Sequence, residues 1–537
     1  MNVCSVSRWL SLLAFVLLTG CATSIATRAP DGLLKVEIPK DSQDGYVLVR
    51  VVSTRPISLL NPKWQHVALM SAQGVRHEVP DVTPMSLGFA GDGTVVTESL
   101  HFGRLPPGEY EFANAGSIGP GPGLLMALIM SDHASLDRKM PRLRIEKGRL
   151  ANLGTIVFAP SADKEPAQLV LLDGARGRAE SLRALQDDSA RAALPPPGGG
   201  WQRQEPGEPA EPVDQARALV AMISAPSDAA GNGHLVVGSH LGEVFERTGP
   251  SQWRESALSE LIRVTFATRW TDGTWIAGSE FGRYATRQPE GNWRLHAIPG
   301  ERGQVASVQK LPNGEVLFLL SDRSKGLRAL VTPELVPGTA APKVLDVNLK
   351  DADEAKLPAV LLDHPEAVLI ARNVPGFRRE VVLTRIDKSS LTVSTTRENF
   401  WVSGWQALPN GQIQVNRMNG LTNYFTLSTD AGKSWKNTDL VLPHGVHWAD
   451  SSVAYAISPT PGFNTVSNQV TRTTDAGKTW TPIGKAFTTR DLAARIIYAD
   501  DKEIVAQGGF AVFSSTDMGK TWTTTFPRPS GFQQAKR

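Results

Sequence analysis

The chain has 537 residues, 41% of them hydrophobic and 20% charged, with a formal net charge of +3. This length exceeds what one small core needs, so two or three domains are expected. The balanced charge lacks the basic excess typical of nucleic-acid binding and lacks an acidic tail, so no nucleic-acid partner is expected.

The first 21 residues have the pattern of an export signal. Arg8 is their only charged residue, and the apolar run over 9–18 is too short to span a bilayer. The run ends in Leu18, Thr19, Gly20 and Cys21. This ending resembles the bacterial lipobox, which implies that Cys21 becomes the lipid-modified first residue of the mature chain. The alternatives are a plain secretory signal and a buried cysteine.

Cys4 and Cys21 are the two cysteines of the chain. Cys4 would be removed with a signal peptide over 1–21, and Cys21 would carry lipid, so the mature chain could form no disulfide. Ala22 follows the cysteine where an aspartate could stand. In Gram-negative lipoproteins this resembles the outer-membrane pattern. The expected location is therefore the bacterial cell envelope, with a lipid anchor in the outer membrane and the protein facing the periplasm.

Residues 22–30 are typical of a short tether, and residues 31–160 have the alternation of β-strands. The clearest strand is 46–52, which is rich in β-branched residues. The segments 106–112 and 147–158 resemble those of the small β-sandwich domains, of prealbumin-like or carboxypeptidase-regulatory-like type, found in bacterial lipoproteins. We therefore expect an N-terminal β-sandwich over 31–160.

Residues 161–212 change character. The stretch 178–194 is rich in Ala, Arg, Glu and Leu without Gly or Pro, which predicts one helix. It is followed by three prolines and three glycines over 195–200, and then by a Pro/Glu-rich linker over 205–212. The major domain boundary is predicted at the end of this region, with the second domain over 213–537.

An eight-residue pattern occurs three times near the C-terminus, with its aspartates 45 and 42 residues apart. The first, third, fifth and eighth positions are Ser428, Asp430, Gly432 and Trp435, then Thr473, Asp475, Gly477 and Trp480, then Ser515, Asp517, Gly519 and Trp522. Aspartate accepts bonds from nearby backbone N–H groups and glycine adopts positive φ, so each copy predicts a hairpin turn. The tryptophan is large enough to wedge against a neighbouring sheet.

These positions resemble the Asp box, or bacterial-neuraminidase repeat, S/T-x-D-x-G-x-T/S-W. The resemblance implies a β-propeller of the superfamily that includes sialidases, photosystem II assembly factors and sortilin-type receptors, with the box as a structural corner. Degenerate units of similar length predict about seven four-stranded blades. Corner tryptophans are expected at Trp253 and Trp293, while the corners near Pro333 and Asp387 lack one, so six or eight blades stay open. Trp201 resembles these strand starts and suggests an outer strand for the last blade.

No catalytic residue, metal or cofactor is predicted. A sialidase would need an arginine triad, a Tyr–Glu pair and an acid/base aspartate, and the family's early Phe/Tyr-Arg-Ile-Pro motif is missing before the first blade. Tyr498 alone among the propeller tyrosines is near an arginine and carboxylates in sequence, and strand alternation explains it equally well. His444 and His447 are three apart, which puts them on opposite faces of an extended segment. The sequence has no P-loop and no dinucleotide fingerprint.

Trp401 and Trp405 do not occupy box positions, and their spacing predicts one shared face of a strand. They are either packed core or a stacking platform at the propeller mouth, and with Tyr498 they are the candidate ligand-binding residues. The sequence thus favours a mainly β protein: an N-terminal β-sandwich, a short helical linker and a C-terminal β-propeller. Its expected function is a lipid-anchored envelope scaffold for a protein or glycan partner. The alternative is a glycoside hydrolase, sialidase-like or other, acting on surface glycans.

Overall fold

The computed structural model describes residues 20–21, 26–28, 34–36, 39, 42–53, 66–82, 97–117, 132–135, 141–159, 168–183, 185, 191–202, 212–221, 226–228, 235–250, 252–322, 326–338, 342–347, 359–374, 380–408, 410–419, 422–443, 445–461, 465–490, 494–508 and 511–526. They form two compact units, one ending at Val220 and the other beginning at Ala221. The signal segment before Gly20 and the tether residues 22–25 lie outside the described residues. In the part of the chain that is described, no helix is both long and apolar enough to cross a membrane.

The first unit is a β-sandwich of two sheets. Its strands β1 to β13 are Gly20–Cys21, Ala26–Arg28, Leu34–Val36, Gly45–Ser53, His66–Ser71, Arg76–Pro80, Thr97–Leu105, Gly108–Ser117, Asp132–Ser135, Arg142–Ile145, Leu150–Ala159, Gln168–Leu172 and Gly200–Gln202. One sheet has the order β1-β6-β5-β8-β10-β13, with β9 on β8, and the other has the order β12-β11-β4-β7. Strands β2 and β3 pair separately.

The core of this unit lies between the two sheets. Val49 of β4 and Ile156 of β11 meet Leu69 of β5 and Leu143 of β10 in one apolar cluster. Alternate residues of a strand point to the same face, so each sheet supplies one apolar side. Helix α1 (Ala175–Arg183) packs beside β11. It begins three residues before the predicted helix over 178–194 and ends at Arg183, so the structure shortens that helix at its C-terminal end.

Trp201 belongs to the sandwich, which corrects the expectation that it adds an outer strand to the propeller. Its strand β13 pairs antiparallel with β10, with Trp201 opposite Leu143. The indole Nε1 donates to the carbonyl of Leu153 at 3.1 Å, and the ring packs on the sandwich core. The glycines before it turn the chain back onto this sheet, since Gly199 and Gly200 have φ of 75° and 117°.

Helix α2 (Val213–Ala221) leads to the second unit, a β-propeller whose described strands form seven blades. Blades 1 to 4 contain β14 to β29: Pro226–Asp228, Leu235–Gly238, Glu243–Gly249 and Gln252–Ala257; Val264–Arg269, Trp275–Ser279, Arg283–Arg287 and Arg294–Ala297; Gln304–Lys310, Val316–Asp322, Gly326–Thr332 and Lys343–Leu345; Ala359–Asp363, Ala367–Val374, Glu380–Asp387 and Val393–Glu398. Blades 5 to 7 contain β30 to β42: Trp401–Ala407, Ile413–Asn419, Thr422–Ser428 and Lys436–Leu442; His447–Trp448, Ala454–Pro461, Thr465–Thr473, Thr481–Pro482 and Phe487–Arg490; Arg495–Ala499, Ile504–Gly508, Ala511–Ser515 and Thr523–Phe526.

Each blade is an antiparallel sheet of successive strands, and blade 6 adds β38 to its third strand, β36. First strands of neighbouring blades contact one another, as β18 with β22 and β34 with β39 do. The first strand of each blade therefore lies innermost and borders the central channel. The turns after the first and third strands lie on one face of the ring, which we name the box face because the Asp boxes follow the third strands.

Apolar clusters fill all seven contacts between successive blades. The seventh cluster joins Val505 and Phe526 of blade 7 to Leu235 and Trp253 of blade 1. Because the last blade contacts the first, the ring is closed. Among the described strands none passes from one blade into another, so side chains rather than a shared strand make this closure.

Every blade places one large apolar residue against the preceding blade, either in the corner before its fourth strand or, in blade 1, at the start of that strand. These residues are Trp253, Trp293, Leu335, Leu391, Trp435, Trp480 and Trp522. Leucine thus replaces tryptophan in blades 3 and 4. The corner period predicted from the tryptophans therefore continues through the two blades that lack them.

Candidate functional site

The Asp boxes are hydrogen-bonded corners in which the aspartate is fully engaged. In blade 6, Oδ1 of Asp475 accepts bonds from Thr473 Oγ1 at 2.7 Å and from the backbone N of Thr479 at 2.9 Å. Its Oδ2 accepts from Thr479 Oγ1 at 2.6 Å. The Thr473 hydroxyl in turn accepts from the backbone N of Gly477 at 3.0 Å.

The boxes of blades 5 and 7 repeat this arrangement. Asp430 accepts from Ser428 Oγ at 2.8 Å and from the backbone N of Ser434 at 2.9 Å. Asp517 accepts from Ser515 Oγ at 2.8 Å and from the backbone N of Thr521 at 2.9 Å. In every box the two residues after the aspartate have positive φ, as Ala476 and Gly477 do at 58° and 83°. Two successive residues of this kind form the tight hairpin turn that suits twisted strands.

Each box also docks on the blade before it. Arg385 of blade 4 donates from Nε to the carbonyl of Ala431 at 2.9 Å. In blade 7, the carbonyl of Gly519 accepts from the backbone N of Lys485 of blade 6 at 2.7 Å. The indole Nε1 of Trp522 donates to the carbonyl of Lys485 at 3.2 Å. The boxes therefore join neighbouring blades as well as closing their own hairpins.

The box carboxylates stay ionised to low pH. Bonds from Thr479 lower the pKa of Asp475 to about 2, and bonds from Thr521 do the same for Asp517. Burial opposes the shift at Asp430, but bonds from Ser434 and Ser428 still lower its pKa to about 2. An acid of this strength, with its oxygens already bonded, cannot deliver a proton at neutral pH. The geometry makes these aspartates structural.

Blade 4 has an equivalent corner at Asp387, where the sequence predicts a corner without a tryptophan. Oδ1 of Asp387 accepts from the backbone N of Ser389 at 3.1 Å and of Ser390 at 3.0 Å. Arg385 donates to Oδ2 at 3.0 Å. Bonds from Ser389 and Ser390 hold the pKa of Asp387 well below its ordinary value. Leu391 has a φ of 58° and takes the place of the tryptophan.

Trp401 and Trp405 lie on opposite faces of the first strand of blade 5, which corrects the prediction of one shared face. The pairing of β30 with β31 shifts between Val402 and Gly404, so Ser403 is an unpaired bulge residue. Trp405 packs in the cluster between blades 4 and 5. Trp401 is half-buried and donates from Nε1 to the carbonyl of Val374 at 3.1 Å.

Tyr498 lies on the innermost strand of blade 7, at its box-face end. Its hydroxyl donates to Oδ2 of Asp500 at 2.9 Å. Burial and this bond raise the pKa of Tyr498 to about 12. A nucleophilic tyrosine needs the opposite shift, toward the phenolate, so this geometry does not activate the hydroxyl.

His447 borders the channel beside Tyr498, with ring centroids 6.3 Å apart and an edge-to-face contact. Burial lowers the pKa of His447 to about 4, so its imidazole is neutral at physiological pH. Its predicted companion His444 lies outside the described residues. Within the described ranges, no group of three or more His, Cys, Asp or Glu side chains is placed to hold a metal ion.

Cys21 is described only through its backbone. Gly20 and Cys21 pair parallel with His77 and Glu78 of β6. This places Cys21 at the edge of the larger sheet of the sandwich.

The first strands of the blades form the wall of the central channel, and their charged residues follow one pattern. Charged residues stand only at the ends of these strands, at Asp228, Arg269, Lys310, Asp363 and Arg495. The interior positions are apolar or neutral polar, and Ser403 is exposed among them. In the inner strands that the structure describes, no interior position carries a carboxylate.

Solved propellers resemble this chain at low identity. An ulvan lyase of polysaccharide lyase family PL25 has a TM-score of 0.39 and 11% identity, over 58% of this chain and 98% of that one. YCF48 from Cyanidioschyzon merolae has a TM-score of 0.37 and 13% identity, over 54% of this chain and 95% of that one. Virginiamycin B lyase from Staphylococcus aureus has a TM-score of 0.36 and 12% identity, over 54% of this chain and 94% of that one. Likeness at this level carries nothing about what this chain binds. Neither a protein-family model nor a curated protein matches the sequence.

Proposed function

We propose that this protein is a lipid-anchored scaffold of the bacterial cell envelope whose propeller binds a partner without catalysis. The anchor would be the lipid on Cys21, in the outer membrane and facing the periplasm. The partner would be a protein or glycan of the envelope. Cys21 follows Leu18, Thr19 and Gly20 in a lipobox-like ending, and that sequence supports the anchor.

The binding role proposed for the propeller is supported by its described inner strands, whose interior positions are apolar or neutral polar. Glycoside hydrolysis by the usual route needs two carboxylates that face each other across the scissile bond. The described inner strands offer none between their ends. The box aspartates are committed to corners, and the Tyr498 hydroxyl is bonded to Asp500. A rigid ring with a neutral wall suits recognition.

The test is partner capture from membranes after mild cross-linking. The expected result is one stoichiometric envelope partner. Ser403→Arg puts a charge on the exposed bulge of an inner strand and should weaken capture by at least about tenfold, since a desolvated charge without a partner is costly. Ser394→Arg on the exposed outer strand of blade 4 is the matched control and should capture normally.

Three outcomes would contradict the scaffold. They are capture of no partner, equal capture by both variants, and clear turnover of chromogenic glycosides or sialosides that is lost when channel-mouth carboxylates are changed. The last result would establish the hydrolase alternative.

A further inference from the structure

The fourth strand of blade 4, β29, is the longest described outer strand of the propeller that pairs without a register shift. Its six residues, Val393–Glu398, each face a residue of β28 in one continuous ladder. The other described outer strands are shorter or carry a shift in their pairing: β17, β21, β25, β33, β37 and β42. Residues 394–397 are exposed. Blade 4 therefore presents a regular sheet edge to solvent.

The hydrogen bonds at the start of β29 determine which of its residues face outward. The backbone N of Asp387 donates to the carbonyl of Thr392 at 3.0 Å, so the backbone of Thr392 is directed toward β28. Successive residues of a strand alternate in this direction, so Val393 and Thr395 are directed away from the blade. Each of them presents one N–H donor and one C=O acceptor at the edge. Another strand can add to an edge of this kind.

A second open edge of the propeller is protected from strand addition by proline. In blade 6, residues 458–461 at the end of β35 are exposed and extend beyond the first strand, β34. The backbone N of Ile483 donates to the carbonyl of Val470 at 2.9 Å, so Val470 and every second residue of β36 are directed away from β35. Their partners Pro459 and Pro461 are therefore directed toward the open edge. Proline has no N–H to offer there, whereas β29 contains no proline.

We propose that β29 pairs with the β29 strand of a second copy of this chain, antiparallel and two-fold symmetric about Ser394. In this register Val393 of each copy faces Thr395 of the other, and each such pair exchanges both of its backbone hydrogen bonds. The strand is neutral around the axis, and its charged residues Arg397 and Glu398 lie at one end. Antiparallel pairing moves these ends apart, so no like charges face each other. The strand is therefore complementary to its own reversed copy, and the contact closes after two chains.

The dimer is expected to be weak and reversible, because two strands of six residues make a small contact. The contact uses the outer strand of a blade, and the inner strands take no part in it. This inference therefore does not depend on the binding role proposed for the inner strands.

The experiment is sedimentation velocity over a dilution series that reaches high micromolar protein. It uses the full chain made free of cysteine by Cys4→Ala and Cys21→Ala, which removes the proposed lipid and competing thiols. A reversible monomer–dimer equilibrium is expected. Ser394→Arg puts like charges opposite each other at the axis and should raise the dissociation constant about fivefold or more. Ser394→Thr stays neutral, so it is the matched control and should dimerise like the parent chain.

Thr395→Pro tests the backbone bonds directly. It removes one outward N–H from each copy, while the ladder with β28 loses no bond. The dissociation constant should again rise about fivefold or more. Melting temperatures of all these variants should match that of the parent chain, since each change lies on an exposed edge.

Disulfide cross-linking tests the register. Residues that face each other without exchanging hydrogen bonds have Cα atoms about 4.5 Å apart, which a disulfide can bridge. Ser394→Cys in the cysteine-free chain should therefore form a cross-linked dimer on mild oxidation. Thr396→Cys, two residues from the axis, is the control and should not.

A parent chain that stays monomeric throughout the dilution series would overturn the proposal. So would dimers that Ser394→Arg and Thr395→Pro leave equally tight, or equal cross-linking at positions 394 and 396. Loss of envelope-partner capture in Ser394→Arg, with a monomeric parent chain, would assign the edge to a strand of another protein instead of a second copy.

Discussion

Arg247 of blade 1 forms a buried ion pair with Glu503 of blade 7, and this pair crosses the point where the ring closes. The side chains are 4% and 11% exposed. Beside them, Ser514 donates from Oγ to the carbonyl of Pro250 at 3.2 Å. Phe526 packs 5.1 Å from the ring of Trp253. Polar and aromatic contacts together hold the two blades that no short connection joins.

Glu503→Gln should weaken the contact between blades 1 and 7 and lower the free energy of unfolding. Removing one partner of a buried pair leaves the other charge uncompensated, which costs about 3 kcal/mol of unfolding free energy. Urea unfolding measures the loss, and amide exchange should speed up selectively in blades 1 and 7.

Glu246→Gln is the matched control for the closure. It breaks the similarly buried pair with Arg287, at 3.2 Å, between blades 1 and 2. The chain itself connects those blades, so exchange in blade 7 should not change. An equal rise of exchange in every blade after Glu503→Gln would show that the pair is not specific to closure.

Asp475→Asn should lower the melting temperature at neutral pH and have little effect near pH 2. The pKa of Asp475 falls from 3.8 to about 2 in the folded protein. A depressed pKa stabilises the fold above the unfolded value, and the contribution disappears as pH falls through the folded value. Melting curves from pH 2 to 7 test this. Asp439→Asn, at an exposed site outside the box, should shift the curve by little at any pH. A difference in melting temperature between Asp475→Asn and wild type that stays the same from pH 2 to 7 would show that ionisation of Asp475 does not stabilise the fold.

Gly484→Ala should be strongly destabilising. Gly484 has a φ of 63°, and a Cβ there would lie 2.1 Å from the carbonyl oxygen of Gly519. The backbone strain costs about 1–2 kcal/mol and the overlap adds about 1–3 kcal/mol. Gly445→Ala is the control, because its φ is 62° but the nearest atom would be 3.6 Å away. Denaturant unfolding of both variants should show the larger loss at Gly484. Equal losses would mean that the box of blade 7 tolerates displacement.

Cys21→Ala should release the protein from membranes. In the proposed function the lipid would be carried by this residue, because it ends a lipobox-like stretch. Within the described residues no helix is long and apolar enough to span a membrane. Fractionation of cells with antibody detection measures the shift to the soluble fraction. Cys4→Ala changes the other cysteine and should remain membrane-bound. Unchanged retention of Cys21→Ala would remove the anchor from the proposed function.

The fold could be predicted where the sequence repeats itself. Trp435, Trp480 and Trp522 mark corners because each closes a turn that aspartate and glycine define locally. Blades 3 and 4 preserve the same packing with Leu335 and Leu391. A leucine is common in any strand, so the single sequence does not distinguish a corner leucine from a core leucine.

The candidate site could be predicted less well, because its geometry depends on pairing between distant segments. The bulge at Ser403 reverses the face of Trp401 relative to Trp405, and only the register with β31 reveals it. Trp201 looks like a blade residue in sequence, yet it pairs with Leu143 within the sheet of the sandwich.

Closure by side chains sets an order of events during synthesis. Blade 1 is the first of the seven blades to leave the ribosome, and its aromatic side chains Phe245 and Trp253 lack their contacts with Phe526 until blade 7 has been made. Through most of translation the blades therefore form an open arc, and the aromatic side chains of blade 1 are exposed at its end. Any chaperone that holds the growing chain would have to cover these side chains until blade 7 is made and the ring closes.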